Sequence, residues 1–266
     1  MVINQIERAY KAWPILAQRA KAGKTITYKE LGDAIGIHHR AIRFVLGVIQ
    51  DYCLAENIPP LTILIINSTG KPGNGFIAYD LKNFREGLQE VFNFNWVRHG
   101  NPFGFSLEGL SYPNIIKSLV YDPDSSGEIY NKIKSRGIKQ ILFRQALLKA
   151  YSYRCAFTEL SFVEGLEAAH IIPWKHATDS QRMDVRNGIL LNSFHHRLFD
   201  AGFITLSSEY KIQYYDKNGA DGNYSELERL MSTELHGKTI HLPHNVKNRP
   251  SREYIAVHNI LHDWKE

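Results

Sequence analysis

The chain has 266 residues, 44% of them hydrophobic, a formal net charge of +5 and a pI near 9.0, values that suit a folded protein of one large or two modest domains. No apolar run approaches the ~20 residues of a membrane-spanning helix, and the start from Met1 to Arg8 lacks the apolar centre of a secretory signal, so a cytoplasmic protein without membrane partners is expected. Cys53 and Cys155 are too few for a disulfide framework or a four-cysteine zinc site, and the basic balance permits a polyanionic partner without demanding one.

Asn4 to Ala22 carries Ile6, Tyr10, Trp13, Leu16 and Ala20 at helical spacing and meets a stop at Gly23. Thr25-Ile26-Thr27 reads as a short strand or a cap for a second helix, Tyr28 to Ile35, which Gly36 ends. A third helix is expected from about His39 to Leu54, with Arg40 and Arg43 near its start, giving the outline of a helix-turn-helix. After Pro59-Pro60, Leu61 to Ile66 reads as a buried strand, and Asn67 to Phe76 as a Gly-rich turn in the place of a wing.

These features, a Thr-Tyr-x-Glu-Leu helix start, an Ile-Gly turn, an Arg-bearing helix and a Gly-rich loop ending in Phe76, are similar in layout to the DNA-binding domain of alkylguanine alkyltransferases and alkyltransferase-like proteins. Where that family places a Pro-Cys-His-Arg nucleophile motif, this chain has Leu64-Ile65-Ile66-Asn67, which excludes alkyl transfer and leaves only the binding role. Arg40, Arg43 and Lys71 are the expected contacts to DNA phosphates or groove edges. The alternative is a small helical domain for protein contacts.

Leu81 to Trp96 is expected as one helix that completes this region, with Phe84, Leu88, Val91 and Phe92 inward. Breaks at His99 to Gly104 and Asp122 to Gly127 bracket a connector, followed by a short helix within Glu128 to Ser135. Ile138 to Tyr151 is a stronger helix, with Lys139, Arg144 and Lys149 expected on its exposed face.

Gly165 to Ile171 suits a strand, Lys175 to Arg186 a polar connection, and Gly188 to Leu191 a second strand. Asn192 or Ser193 can cap a following helix that holds His195, His196, Phe199 and Asp200, which makes a ββα finger. His196 and Asp200 stand four apart and project from one helical face, a pair suited to a divalent cation with positions left for water and phosphate. His170 would lie on the strand opposite, so a base and a cation, the requirements of phosphodiester hydrolysis, come together.

Phe-Arg-x-x-Leu-Leu, Arg-Cys-Ala-x-Thr, Glu-Ala-Ala-His-Ile-x-Pro, Asn-Gly-Ile-Leu-Leu and His-x-Leu-Phe-Asp-x-Gly follow in order between Phe143 and Ile204. With them the segment resembles the HNH endonucleases of the bacterial restriction type, over about a quarter of the chain. The resemblance implies that His170 is the general base, that Asn187 pins the loop between the strands, and that His196 is the metal ligand on the helix. It places Asp200 where some members carry a further metal-binding histidine. Two departures stand out. Ala169 occupies the position before the base, often Asp or His, so the cation needs another donor, for which Glu167 on the same strand face is the candidate. The paired Cys-x-x-Cys zinc knuckle is missing, since Cys155 is followed by Thr158, and folding should not depend on zinc.

His195 is expected to point away from His196, exposed or against phosphate, and Arg197 to clamp a phosphate or join a surface ion pair. His176, His236, His241, His244, His258 and His262 are expected as surface or core residues. A hairpin from Phe203 to Tyr215, a helix from Leu227 to Leu235, an extended Thr239 to Leu242 and a final helix from Pro250 to Trp264, started by its Pro, complete the chain.

The expected fold is α+β: a winged-helix-like region over 1–96, a connector over 97–137 and a ββα-metal HNH nuclease over 138–266. The expected function is a DNA endonuclease in restriction or anti-phage defence, using Mg²⁺ or Mn²⁺, with Zn²⁺ or Ni²⁺ as alternatives. Its partners would be double-stranded DNA, a second copy of the chain or other defence subunits. The other readings are a DNA-binding regulator that has lost catalysis and a nuclease toxin.

Overall fold

The computed structural model describes residues 4–73, 75–215 and 223–264. The chain divides into two compact units, residues 1–114 with 133–138, and residues 115–132 with 139–266.

In the first unit, α1 (Gln5–Lys21) is capped by Asn4, whose side chain accepts from the amides of Ile6 and Glu7. β1 (Ile26–Thr27) runs into α2 (Tyr28–Ile35) through a capping box: Thr27 accepts from the Glu30 amide and the Glu30 carboxylate accepts from the Thr27 amide. Thr27 is thus both strand and cap. Gly36, at φ +72°, ends α2 in the left-handed conformation that glycine adopts without a Cβ penalty. A single 3₁₀ turn, His39–Ala41, carries Arg40 and precedes α3 (Ile42–Ala55), which therefore starts three residues later than its apolar pattern suggests.

The buried run from Leu61 is not one strand. Leu61–Leu64 forms a 3₁₀ turn, and only Ile65–Ile66 (β2) pairs, parallel to β1, because a continuous apolar run reports burial and not period. Of the Gly-rich turn that follows, Asn74 lies outside the described residues. The helix expected over Leu81 to Trp96 is split into a 3₁₀ turn, α4 (Phe84–Asn93) and α5 (Trp96–His99), with Asn95 capping the last. Of the four inward positions expected there, only Val91 is buried. Trp13 is the centre of this unit, in edge-to-face contact with Tyr52, Trp96 and Phe103 at centroid distances of 5.4, 5.6 and 5.8 Å.

The expected connector is largely helical. It contains a 3₁₀ turn (Gly104–Glu108), α6 (Tyr112–Tyr121) and α7 (Ser126–Lys132), followed by α8 (Arg136–Ala150). In the second unit β3 (Leu166–His170) pairs antiparallel with β4 (Gly188–Asn192), His170 opposite Gly188 and Leu166 opposite Asn192. α9 (Ser193–Asp200) follows directly. Phe143 and Leu147 of α8 press on this sheet so closely that a Cβ at Gly188 would stand 2.5 Å from Leu147 and 2.7 Å from Phe143. Glycine in Asn187-Gly188 is thus set by a close approach rather than by a turn.

The hairpin is β5 (Ile204–Leu206) with β6 (Ile212–Tyr214), and α10 (Glu226–Leu230) and α11 (Arg252–Leu261) follow. Thr239 makes only an isolated bridge to Lys211. Ser251 occupies the N-cap position of α11 without a side-chain capping bond, so Pro250 precedes the helix and does not start it. Thr205, His258 and Asn259 share a buried hydrogen-bond cluster that ties α11 to β5. Among the described residues no helix is long and apolar enough to cross a membrane.

Candidate active site

His170 ends β3, half-buried, with its ring stacked on Phe143 at 4.1 Å and edge-on to Trp174 at 5.6 Å. Its Nε2 lies 3.1 Å from the carbonyl oxygen of Arg182. A carbonyl can only accept, so Nε2 carries the proton and the neutral ring keeps its lone pair at Nδ1.

Asn187, fully buried, fixes the loop that supplies this carbonyl. Its Oδ1 accepts from the Ile172 amide at 2.8 Å, and its Nδ2 donates to the carbonyls of Ile172 (3.2 Å) and Gln181 (3.0 Å). Consecutive carbonyls of the loop, those of Gln181 and Arg182, are therefore claimed by Asn187 and His170.

His196 on α9 meets the Glu167 carboxylate through Nδ1 at 2.6 Å and the Asp200 carboxylate through Nε2 at 3.3 Å. The three residues converge, but the carboxylates stand at different ring nitrogens. Glu167 holds Nδ1–H, so in the neutral ring the Nε2 lone pair faces Asp200, an arrangement that asks for a positive charge between them. His196 Nε2 and Asp200 are the residues that would hold a cation there. With a cation there, Glu167 at Nδ1 would orient the ligand ring from behind rather than fill the place left by Ala169, as carboxylates do for metal-bound histidines. Among the described residues no group of three or more His, Cys, Asp or Glu is arranged to hold a metal. Ala169 is fully buried opposite Ile189, whereas Glu167 is exposed. The Asp200 carboxyl is raised above its ordinary value, first by the protein packed around it and further by Glu167, with His196 and His262 opposing.

A cleft of about 460 Å³ joins His170, His196 and Asp200, with Trp174, His176 and His262 also on its walls. His262 is a cleft residue that sequence pattern did not single out. It stands in the C-cap of α11, and a Cβ at Gly202 (φ +72°) would come within 2.5 Å of its Nδ1. The glycine of His-x-Leu-Phe-Asp-x-Gly therefore makes room for it, a link no linear motif displays.

His195 departs from expectation. It is fully buried, Nε2 donating to the Met231 carbonyl at 2.8 Å and Nδ1 accepting from the Asn192 amide at 2.8 Å, and burial lowers its pKa. It contacts no solvent because Asn192, the α9 cap, draws it inward. The same Asn192 reaches Thr158 Oγ1 at 3.2 Å, and its backbone amide reaches Cys155 Sγ at 3.3 Å. Hydrogen bonds thus join the Cys155 turn to the start of α9. Both cysteines are buried and free.

Lys139 and Arg144 are not on a solvated face. Lys139 is buried with its ammonium 3.3 Å over the Tyr130 ring, and Arg144 donates to the carbonyls of Val163 and Leu166. Arg197 is exposed and makes no ion pair with a described residue.

In the first unit an open groove of about 880 Å³ is lined by Tyr28, Lys29, His39, Arg40, Arg43 and Asn67. Arg40, Arg43 and Lys71 are all exposed, and the Arg43 guanidinium lies 4.6 Å over Phe44. Lys71 stands outside the groove lining, in a turn closed by its carbonyl accepting from the Asn67 amide.

No curated protein matches the chain. Residues 155–207 match the family model described as HNH endonuclease, and with the ββα finger in place this match supports a nuclease domain that acts on DNA.

Proposed function

We propose that the chain is a metal-dependent DNA endonuclease of restriction or anti-phage defence. The observation that carries the reading is His170: its Nε2–H is held by a backbone carbonyl, and its ring lines one cleft with the His196 and Asp200 pair. In this reading His170 Nδ1 takes a proton from water as the water oxygen attacks phosphorus and the bond to the leaving oxygen breaks. Asn187 keeps the loop, and with it the His170 ring, in place. A divalent cation, Mg²⁺ or Mn²⁺, bound by His196 and Asp200 would supply charge stabilisation at the phosphate and the leaving oxygen. Glu167 holds the His196 ring in the required tautomer. Arg197, exposed beside His196 and without an ion pair among the described residues, contacts a phosphate in this reading.

The first unit is the DNA-positioning module in this proposal, with a winged-helix-like role for residues 1–96. Its support is the groove carrying Lys29, Arg40 and Arg43, with Lys71 on the neighbouring turn. Joint replacement of Arg40, Arg43 and Lys71 by Ala would weaken duplex binding and flatten its salt dependence.

The deciding experiment is incubation of supercoiled plasmid, methylated and unmethylated, with the protein and Mg²⁺ or Mn²⁺. Nicked or linear product that disappears in His170→Ala supports the reading. Intact plasmid with every cation, or equal cutting by His170→Ala, refutes it, and intact plasmid with tight duplex binding would indicate a regulator.

A further inference from the structure

We infer that Arg182 is the positioning residue of the base, acting through its own backbone. The loop between β3 and β4 is long and polar, and its backbone alone does not explain why the carbonyl of residue 182 should stay under His170. The side chain of Arg182 supplies the reason. Its Nε donates to the Trp174 carbonyl at 3.0 Å, while Nη1 donates to the Tyr130 hydroxyl at 3.0 Å and to the Asp179 carboxylate at 2.8 Å. The guanidinium also lies 5.4 Å from the Trp174 ring centre and 5.8 Å from that of Tyr130.

One side chain therefore ties two points of the loop, Trp174 near its start and Asp179 at its middle, to α7, which lies outside the ββα finger and contributes Tyr130. Tyr130 is itself held, since the buried Lys139 ammonium sits 3.3 Å over its face. The planar fork of a guanidinium spans such separated acceptors, whereas an ammonium on a flexible stem does not. The Arg182 amide donates to the Thr178 carbonyl at 3.0 Å, so the residue is fixed at backbone and side chain alike, and its carbonyl is presented to His170 Nε2. Asn187 secures the preceding carbonyl, that of Gln181. Together the two make a rigid floor for the imidazole, with Phe143 on its face and Trp174 at its edge.

The test has two arms, of which only the kinetic one rests on the nuclease reading. In the first, ¹⁵N-imidazole NMR at mildly alkaline pH reads the His170 tautomer in the full-length protein, assigned by its loss in His170→Ala. The wild type is expected to show a single Nε2–H form, and Arg182→Ala a mixture of both tautomers. In the second, plasmid nicking is expected to lose about 10- to 100-fold in kcat with KM unchanged, the size that ångström-scale misplacement of a catalytic group produces. Arg182→Lys should fall with Ala in both arms. If Arg182→Ala does not fold, Tyr130→Phe, which removes one of the three acceptors, should show a smaller shift in the same direction. A wild-type tautomer ratio and kcat in the variant that folds, or full restoration by Lys, overturns the assignment. A wild type that cuts nothing defeats the nuclease reading and leaves the NMR arm to decide the role of Arg182.

Discussion

Replacing Asn187 by Ala strips the buried Ile172 amide of its acceptor and the carbonyls of Ile172 and Gln181 of a donor. Asn187 has no exposed surface, so water does not step in without rearrangement. An orphaned buried amide costs about 1–3 kcal/mol, and each of the two other lost bonds about 0.5–1.5 kcal/mol. The expected loss is about 2–6 kcal/mol, a large part of the ~5–15 kcal/mol of a typical domain. Asn187→Asp keeps the acceptor for Ile172 but sets a carboxylate against two carbonyl oxygens. It should therefore be no better than Ala near neutrality and should recover in acid, where a protonated carboxyl can donate to one of them. Urea unfolding of the full chain, followed by near-UV circular dichroism across pH, measures both. An Asn187→Ala variant within about 1 kcal/mol of wild type, or an Asp variant more stable than Ala at neutral pH, would refute the view that this side chain locks the loop.

Three further outcomes follow from the second unit. Burial pushes His258 down to about 4, so the folded state keeps it neutral while the unfolded chain takes up a proton below the usual histidine value. Its contribution is intact above about pH 6.5 and is lost as pH falls toward about 4, up to about 3 kcal/mol, and His258→Gln should flatten the acid slope of thermal unfolding; parallel slopes would sink the idea. Gly202→Ala should cost about 1–2 kcal/mol from positive φ alone and should displace His262 from the cleft, read as a shift of the His262 imidazole resonances; an unmoved resonance would count against the placement. Calorimetric titration with Mn²⁺ should lose binding in Asp200→Asn and weaken about 10-fold in Glu167→Gln, whereas the reverse order would make Glu167 the direct ligand.

Linear pattern carried the ββα finger well, because each of its parts is specified locally. The short apolar-flanked run from Leu166 to His170 reads as β3, the run after Gly188 places β4, and Asn192 is both the last strand residue and the cap of α9. His196 and Asp200 share a helical face by spacing alone. Continuous apolar stretches were less legible: Leu61 to Ile65 is buried throughout, and burial without alternation does not separate a strand from a 3₁₀ turn.

Charge and histidine placement depended on tertiary contacts. Lys139 reads as a solvated helix position, yet its ammonium finds the face of Tyr130, which only the packing of α7 brings near. His195 and His196 are neighbours in sequence, but adjacent residues of a helix point about 100° apart, so one is buried against Met231 and the other opens to the cleft. The sequence by itself placed His196 and Asp200 on one helical face, a local and periodic property, and set His170, Asn187 and His196 in an order that resembles the HNH endonucleases. The tertiary structure decided which ring nitrogens of His170 and His195 meet a carbonyl, that Glu167 stands at Nδ1 of His196, that His262 lines the cleft, and that the Arg182 carbonyl lies under His170. Those depend on carbonyls, carboxylates and helix ends far apart in the chain, and distance in space between such groups leaves no period in a sequence.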